Sequence, residues 1–467
     1  MSYYKSERPI ISYALPSTKV AFCGIVVALL SVLVRGIGFA ISYIPQGYII
    51  TYSLINQLVK FFYSASWVFL IAMLLIFLAA VVMRLLMKPH YLICHQVKKG
   101  LLCYSQGNPL HLKDCERIPK ITCKQVDEGV YELNITASCR TCEELSELGS
   151  SISSALNKKF NQYAVTLTSS DIAFNSVIFR IEDVTIDRSL TFNDVSEMKP
   201  DEPTKLIVQQ NTYIDLTTSG SILCSGKTRS GKTTGIISFL LQALQCGRDN
   251  YGSEILIIDP KQAELSRLSH VVTLDENGEA KGVLKAMQSF CDTIKARQKV
   301  LNDWSEHMGD AMHWYYARVD MHPAFLFIDE YVSLRSLFPA KPSKADPDYC
   351  LATFDGLLKR IVTMGASAGC YAIISIAEAS VAEGGLPAML RSAMTTKILF
   401  KPTVEEARLM WDSDKLKDFN NGRVYNAGDA WFSSTDGKHD NVSFVHFPNM
   451  KFKVYAELGR LLNEYYS

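Results

Sequence analysis

The segment from Gly226 to Thr234 constrains what this 467-residue chain can fold into more than any other part of its sequence. It follows the spacing G-x-x-x-x-G-K-[ST]; a strand-like run from Ser221 to Ser225 precedes it, and a helix-like run from Gly235 to Leu244 follows. A strand, a glycine-rich turn and a helix in this order bring main-chain N–H groups and the positive end of a helix dipole to one point. The segment therefore predicts a phosphate-binding loop.

The positions of this loop have predicted roles. Lys232 is expected to reach the β- and γ-phosphates of ATP, and the Thr233 hydroxyl to ligate Mg²⁺. The sequence thus predicts ATP and Mg²⁺ as cofactors. The predicted nucleotide-binding residues are Gly226, Lys227, Thr228, Arg229, Ser230, Gly231, Lys232, Thr233 and Thr234.

A second chemical signal lies about a hundred residues downstream, where the apolar run from Ala324 to Ile328 ends in Asp329 and Glu330. A buried parallel strand would deliver both carboxylates to the phosphate edge of a sheet. We expect Asp329 to hold Mg²⁺, usually through water, and Glu330 to activate the attacking water. Lys232 and Glu330 are therefore the predicted catalytic residues, and Thr233 and Asp329 the predicted metal ligands.

Further apolar runs alternate with helix-like stretches around these motifs. Glu254 to Ile258 precedes Asp259-Pro260-Lys261, and Tyr371 to Ile376 is a third strand-like run. This alternation predicts an α/β fold: a doubly wound parallel sheet of the RecA-like P-loop NTPase type.

Two long apolar stretches near the N-terminus predict a membrane anchor. Residues 20–44 and 61–87 each exceed the roughly 20 residues needed to cross a bilayer, and each contains one charge, Arg35 and Arg84 respectively. Basic residues cluster outside both spans, which places the N- and C-termini in the cytoplasm and a short external loop around Pro45 to Lys60. A charge within a span is costly, so Arg35 either snorkels or pairs with a partner membrane protein. The chain is expected to be a multi-pass protein of the cell membrane.

Between anchor and motor, the sequence predicts a small α+β module. Thr141 and Glu144 have the spacing of a capping box, and Leu145, Leu148, Ile152 and Leu156 then form one apolar helix face. The polar stretch from Asp194 to Pro200 is typical of a linker. The predicted domains are therefore the anchor (1–94), the module (95–200) and the ATPase motor (201–467).

The order of these pieces resembles the FtsK/SpoIIIE family of DNA-translocating motors, from about Thr141 to Phe447. The resemblance rests on the P-loop, on Ile258-Asp259-Pro260-Lys261 with Glu264-Leu265, on the Asp329-Glu330 strand, and on Ala368-Gly369 before the third strand. It implies a homo-hexameric ring with ATP between subunits and non-sequence-specific DNA in the pore. An interface site needs a cation from the neighbouring subunit, for which Arg360, Arg391 and Lys397 are candidates.

Two departures refine the resemblance. Ile376-Ala377-Glu378-Ala379 replaces the family's usual Thr-Gln-Arg-Pro, and the chain ends near Ser467 without room for a DNA-reading winged-helix module. Such a chain looks like the coupling proteins of Gram-positive conjugative plasmids and integrative conjugative elements, which implies relaxase or relaxosome proteins and channel proteins as partners. The alternatives are an ATPase for protein secretion, a chromosome-segregation DNA pump and a scaffold that uses ATP as a switch.

DNA contact has little support from charge alone, because the formal net charge is +1. The loop with Lys341 and Lys344 is either a DNA-contacting element or a solvated turn. The helix-like segment carrying Lys285, Lys295, Arg297 and Lys299 is interpreted as a charged outer face.

Overall fold

The structure is a computed structural model, and its description covers residues 4, 14–43, 49–102, 108–138, 140–157, 160–171, 173–377, 387–412, 416, 425–437 and 439–467. The chain divides into two compact units, Met1–Asp183 and Val184–Ser467. The predicted three-part division at residues 94 and 200 stays a proposal. The polar stretch interpreted as a linker lies inside the second unit, where Val195 and Met198 are buried.

The first unit begins with two long helices, α1 (Pro16–Ser42) and α2 (Ile49–Leu86). Pro16–Ser42 and Ser53–Leu86, with mean hydropathies of 2.5 and 2.8, are long and apolar enough to cross a membrane. The prediction of two candidate spans is thus confirmed. The predicted loop from Pro45 to Lys60 is wrong from Ile49 onward, because α2 begins there; residues 44–48 lie outside the description.

Helices α1 and α2 pack through small residues spaced seven apart: Ser17, Gly24, Ser31 and Gly38 are the buried positions of α1. The Ser31 hydroxyl donates to the Ser66 carbonyl at 2.8 Å. The Arg35 guanidinium lies over the Tyr63 ring, 5.7 Å from its centroid, which is the geometry of a cation–π contact. The charge of Arg35 on α1 therefore has an aromatic neighbour on α2.

The rest of the first unit is a small α+β module. Helix α3 (Pro89–Leu102) and the broken helix α4 (Cys142–Ser146) and α5 (Gly149–Leu156) accompany a four-stranded antiparallel sheet in the order β1-β2-β4-β3 among the described residues. The strands are β1 (Ile121–Asp127), β2 (Val130–Thr136), β3 (Tyr163–Ser170) and β4 (Ser176–Asp183). The predicted capping box of Thr141 and Glu144 is confirmed, although the predicted single helix is interrupted at Glu147 and Leu148.

The second unit is an α/β domain. Its strands are β5 (Thr191–Phe192), β6 (Lys205–Gln209), β7 (Thr212–Asp215), β8 (Ile222–Gly226), β9 (Ile255–Ile258), β10 (Val271–Val272), β11 (Ala324–Ile328), β12 (Cys370–Ile376), β13 (Thr396–Phe400), β14 (Asp429–Ser433), β15 (Ser443–His446) and β16 (Asn449–Met450). Its helices are α6 (Lys232–Gln245), α7 (Lys281–Met308), α8 (Tyr331–Ser336), α9 (Leu351–Met364), α10 (Ala388–Ala393), α11 (Val404–Met410) and α12 (Val454–Tyr466).

The main sheet of this unit has eight strands among the described residues, in the order β10-β9-β11-β12-β8-β13-β14-β15. From β10 to β13 neighbouring strands are parallel, and β14 and β15 are antiparallel to their neighbours. The P-loop fold is confirmed, but the sheet is mixed rather than wholly parallel. Strand β15 is antiparallel to β14 because the two form a hairpin, with no crossover helix among the described residues between them.

The parallel strands bring the sequence motifs to one edge of the sheet. Strand β12 lies between β8 and β11, so the chain leaves β8 at Gly226 and β11 at Ile328 on either side of it. Ligands of open α/β sheets bind outside the carboxyl ends of the strands. Apolar side chains from both faces cover β8, β11 and β12, so this edge is held by two buried cores.

Helix α7 corrects one sequence interpretation. Lys285, Lys295 and Lys299 are exposed, but Arg297 is buried with 1% of its surface accessible. Its guanidinium pairs with Asp249 at 2.7 Å and donates to the carbonyls of Ala368 and Gly369. Arg297 therefore joins the helix to the opposite edge of the sheet and is not part of a charged outer face.

Candidate nucleotide site

The P-loop backbone depends on glycine at two positions. Gly226 has φ 153° and Gly231 has φ 94°, a region that side-chain-bearing residues rarely adopt. A Cβ atom on Gly231 would lie 2.5 Å from the Gly428 nitrogen, and one on Gly226 would lie 2.8 Å from the Phe400 carbonyl oxygen. The two glycines thus let the loop curl and let neighbouring main chain approach it closely.

The loop and the carboxylates meet in a pocket of about 260 Å³. Every residue predicted for nucleotide, metal and catalysis lines it. These predicted site residues are Gly226, Lys227, Thr228, Arg229, Ser230, Gly231, Lys232, Thr233, Thr234, Asp329 and Glu330. The fold therefore brings together residues about a hundred positions apart, and their individual roles stay predictions.

Asp329 is a buried carboxylate of this pocket. Burial raises the pKa of its carboxyl, and the carboxylates of Glu330 and Asp259 raise it further. The positive charge of Lys232 lowers this pKa but does not cancel the rise. Its Oδ1 is buried and has no hydrogen-bond partner among the described atoms, and the same holds for the Ser230 hydroxyl. Unpaired buried oxygens of this kind suit a cation and a phosphate, so the residues present fit Mg²⁺ bound with ATP.

Glu330 is held by two lysines. Its Oε1 lies 2.8 Å from Lys261 Nζ and 3.5 Å from Lys232 Nζ. Burial opposes ionisation, but the Lys261 hydrogen bond and the charges of both lysines outweigh it and hold the pKa of Glu330 below its ordinary value. Its backbone is left-handed, with φ 50°, which is uncommon for a residue other than glycine and frequent at functional sites.

The Lys232 ammonium group also has two contacts in this structure. Besides Glu330, it donates to the Ile376 carbonyl at 2.9 Å, at the end of β12. This carbonyl begins the segment that departs from the family's usual sequence. Ala377 lines the pocket, whereas Glu378 and Ala379 lie outside the described residues.

Asp259, Lys261 and Tyr455 are three of the pocket residues to which the sequence assigned no role. Asp259 is fully buried, and its carboxylate accepts hydrogen bonds from the main-chain N–H groups of Lys261, Ala263 and Ser266. It thereby shapes the loop that carries Lys261 to Glu330. The Asp259-Pro260-Lys261 sequence, directly after an apolar strand-like run, could have marked Asp259 and Lys261 as site residues.

Tyr455 is the third of these residues and comes from α12, far along the chain. Burial raises the pKa of its phenol, and Glu264, Asp329 and Asp259 raise it further, so the hydroxyl stays neutral beside these acids. No local pattern marks Tyr455, because only the packing of α12 brings it to the pocket.

The candidate interface cations lie elsewhere. Arg391 and Lys397 line a different pocket of about 350 Å³, where each donates to a carbonyl of α11, Leu409 and Met410 respectively, at 2.7 Å. Arg360 is exposed on α9. Arg360 is not among the residues that line that pocket. Lys341 and Lys344 are exposed between α8 and α9.

Comparison with known proteins finds a partial match to one family. Residues 185–329 match the FtsK/SpoIIIE family, a narrower stretch than the sequence resemblance predicts. The chain is 25% identical over 153 residues to the FtsK domain-containing protein YdcQ of Bacillus subtilis (strain 168), covering 33% of this chain and 28% of that protein. The match therefore spans less than a third of the relative's length.

Two solved structures align at lower similarity. One is the pCW3 conjugation coupling protein TcpA in monomer form with ATPγS, at TM-score 0.48 and 14% identity over 80% of this chain and 99% of that one. The other is EssC (ATPases 2 and 3) from Geobacillus thermodenitrificans, at TM-score 0.40 and 16% identity over 60% of this chain and 52% of that one. The predicted resemblance to the FtsK/SpoIIIE family is confirmed, and residues 185–329, which include the P-loop and Asp329, carry it.

Proposed function

We propose that this chain is a membrane-anchored ATPase that couples ATP hydrolysis to DNA movement, as the coupling protein of a conjugative element. The observation that carries the ATPase assignment is the meeting of the P-loop with Asp329 and Glu330 in one pocket. This arrangement brings together hydrogen-bond donors for phosphate oxygens, oxygen atoms that can bind a metal ion, and a carboxylate that can act as a base.

The residues act in a defined order in this proposal. The Thr233 hydroxyl and the Asp329 carboxylate would hold Mg²⁺, Asp329 usually through water, and the ion would supply positive charge beside the phosphates. Lys232 leaves the Ile376 carbonyl and turns to the phosphates, which also removes one of the two cations now beside Glu330. Glu330 then orients a water molecule and accepts its proton.

The DNA and membrane assignments rest on different features. The family resemblance supports DNA as cargo and a homo-hexameric ring, in which Arg360, Arg391 or Lys397 would reach a neighbour's ATP. Helices α1 and α2 support a membrane anchor, and the basic residues outside the spans favour both termini in the cytoplasm. Relaxase or relaxosome proteins and channel proteins are the proposed partners.

The test is ATP binding and turnover by the full-length protein in detergent, with and without single- and double-stranded DNA. Lys232→Ala is expected to lose ATP binding, and Glu330→Gln to bind ATP but lose about 100-fold or more in turnover. Lys285→Ala, which removes an exposed lysine of α7, is the matched control and should behave as wild type.

The outcomes separate the candidate functions. Turnover stimulated by DNA and lost in Lys232→Ala supports the motor. Turnover indifferent to both DNA forms favours the protein-secretion ATPase, and binding without turnover favours the scaffold. Normal turnover in Glu330→Gln would remove Glu330 as the base.

A further inference from the structure

A second pocket, of about 580 Å³, adjoins the P-loop. It shares Gly231 and Thr234 with the carboxylate pocket and is otherwise lined mainly by two segments, Asn426–Asp429 and His446–Met450. Its volume lies in the range of about 300–1,000 Å³ typical of small-molecule sites. The two pockets are therefore neighbours across the first turn of α6.

The two pockets differ in charge. The carboxylate pocket contains the cations Lys227, Arg229, Lys232 and Lys261. Among the described residues that line the second pocket there is no lysine or arginine, and it contains the carboxylates of Asp187 and Asp429. The four cations of the carboxylate pocket balance its four carboxylates, Asp259, Glu264, Asp329 and Glu330, whereas the carboxylates of the second pocket have no lysine or arginine to balance them. A polyphosphate is therefore repelled more strongly by the second pocket, which instead suits an uncharged group attached to that phosphate.

The segment from Asn426 to Asp429 is fastened directly to the P-loop. The Gly428 N–H donates to the Ser230 carbonyl at 3.0 Å, and the Phe447 N–H donates to the Gly428 carbonyl at 2.9 Å. These bonds set the second pocket at a fixed distance from the phosphate-binding main chain. A ligand bound to the P-loop can therefore contact the second pocket without a rearrangement of these segments.

His446 presents an unused polar atom in this pocket. Its Nδ1 lies 2.9 Å from Asp429 Oδ1, and a carboxylate accepts hydrogen bonds, so the ring proton sits on Nδ1. In the neutral ring Nε2 is therefore an acceptor. It is buried and has no partner among the described atoms, while the side chain is 12% exposed. The Phe444 ring packs edge-on against the imidazole, 4.4 Å between centroids, which fixes its orientation.

We infer that this second pocket binds the nucleoside part of the nucleotide, and that His446 Nε2 accepts a hydrogen bond from it. The donor is a ribose hydroxyl or the exocyclic amine of adenine, since both offer a proton to a neutral imidazole nitrogen. Asp429 acts as a positioning residue, because it sets the tautomer of His446 and also accepts from the Asn426 N–H at 2.7 Å. This inference rests on the proposed ATPase function.

The experiment measures equilibrium binding of ATP and of inorganic tripolyphosphate to the full-length protein and to His446→Phe. We expect ATP affinity to fall about tenfold, as for loss of one buried hydrogen bond, and tripolyphosphate affinity to stay unchanged. His446→Gln, whose amide oxygen is also an acceptor, should recover part of the loss.

His439→Phe is the matched control. His439 pairs with Asp436 at 2.7 Å in the same type of histidine–aspartate contact, but neither residue lines the pocket. It should leave both affinities unchanged.

The outcomes decide the matter as follows. An equal loss of ATP and tripolyphosphate affinity in His446→Phe, or no loss of ATP affinity, overturns the inference. With the wild type, weaker binding of 2′-deoxy-ATP or 3′-deoxy-ATP assigns the donor to the sugar, and weaker binding of GTP assigns it to the base. Equal binding of all four nucleotides overturns the hydrogen bond. If the wild type binds neither ATP nor tripolyphosphate, the proposed ATPase function fails first.

Discussion

At the scale of single residues, the ionisation of Glu330 is controlled by Lys261. Asp259 holds the Lys261 main chain, and the Lys261 side chain pairs with Glu330 at 2.8 Å. A general base must be ionised to accept a proton, so a lysine that lowers the pKa of Glu330 keeps it competent at lower pH.

Lys261→Met is therefore expected to raise the pKa of Glu330, because burial raises this pKa and one of the two lysines that lower it is removed. The acid limb of kcat/KM against pH should move to higher pH, since that limb reports the free enzyme's base. Lys285→Met serves as control and should leave the profile in place. An unmoved acid limb in Lys261→Met would mean that a group other than Glu330 sets it.

At the scale of elements, Arg297 connects α7 to three other parts of the second unit. It pairs with Asp249 ahead of β9, donates to the His322 carbonyl ahead of β11, and donates to carbonyls ahead of β12. Burial of Asp249 disfavours its charge, but Arg297 and three main-chain N–H groups outweigh this and lower its pKa. The ion pair thus fixes the helix against the edge of the sheet opposite the nucleotide pocket.

Arg297→Met should cost about 3–5 kcal/mol of unfolding free energy, because it leaves the Asp249 carboxylate buried without its cation. Since the folded-state pKa of Asp249 is lowered, the stability it contributes is present above the ordinary aspartate pKa and is lost as pH falls through the lowered value. Denaturant unfolding at neutral and acidic pH measures both effects. Lys299→Met, on the same helix but exposed, should change stability by at most about 0.5 kcal/mol; an equal effect of both variants would contradict the role of the pair.

At the scale of the whole molecule, the second unit begins earlier than the polar composition of residues 194–200 suggests. Strand β5 pairs in parallel with β16, and the one-turn 3₁₀ helix Val195–Met198 follows it. Phe192, Val195 and Met198 are buried in the same core as α6 and α12. These side chains therefore belong to the second unit.

A fragment of residues 184–467 should consequently fold, whereas residues 201–467 should be strongly destabilised. The shorter fragment loses three core side chains, each worth roughly 1.5–3 kcal/mol, against a net stability of about 5–15 kcal/mol for a typical domain. Thermal unfolding followed by circular dichroism compares them. Met198→Ala in the longer fragment should give an intermediate loss, and equal stability of the two fragments would show that residues 184–200 are dispensable.

The sequence by itself determined the features that depend on short-range patterns. Glycine spacing and flanking periodicity gave the strand, loop and helix around Lys232; an unbroken apolar run predicted β11 and the carboxylates after it; and hydropathy predicted both candidate membrane spans. Each of these depends on the conformational preferences and polarity of residues adjacent in the chain.

Tertiary structure alone decided how distant residues meet. It paired Lys261 with Glu330, buried Arg297 against Asp249, brought Tyr455 of α12 to the pocket of Asp329 and Glu330, and set His446 and Asp429 beside the P-loop. It also turned the sheet's last two strands antiparallel. None of these follows from local sequence, because a side chain's partner and burial depend on which segments the packing of the whole core brings into contact.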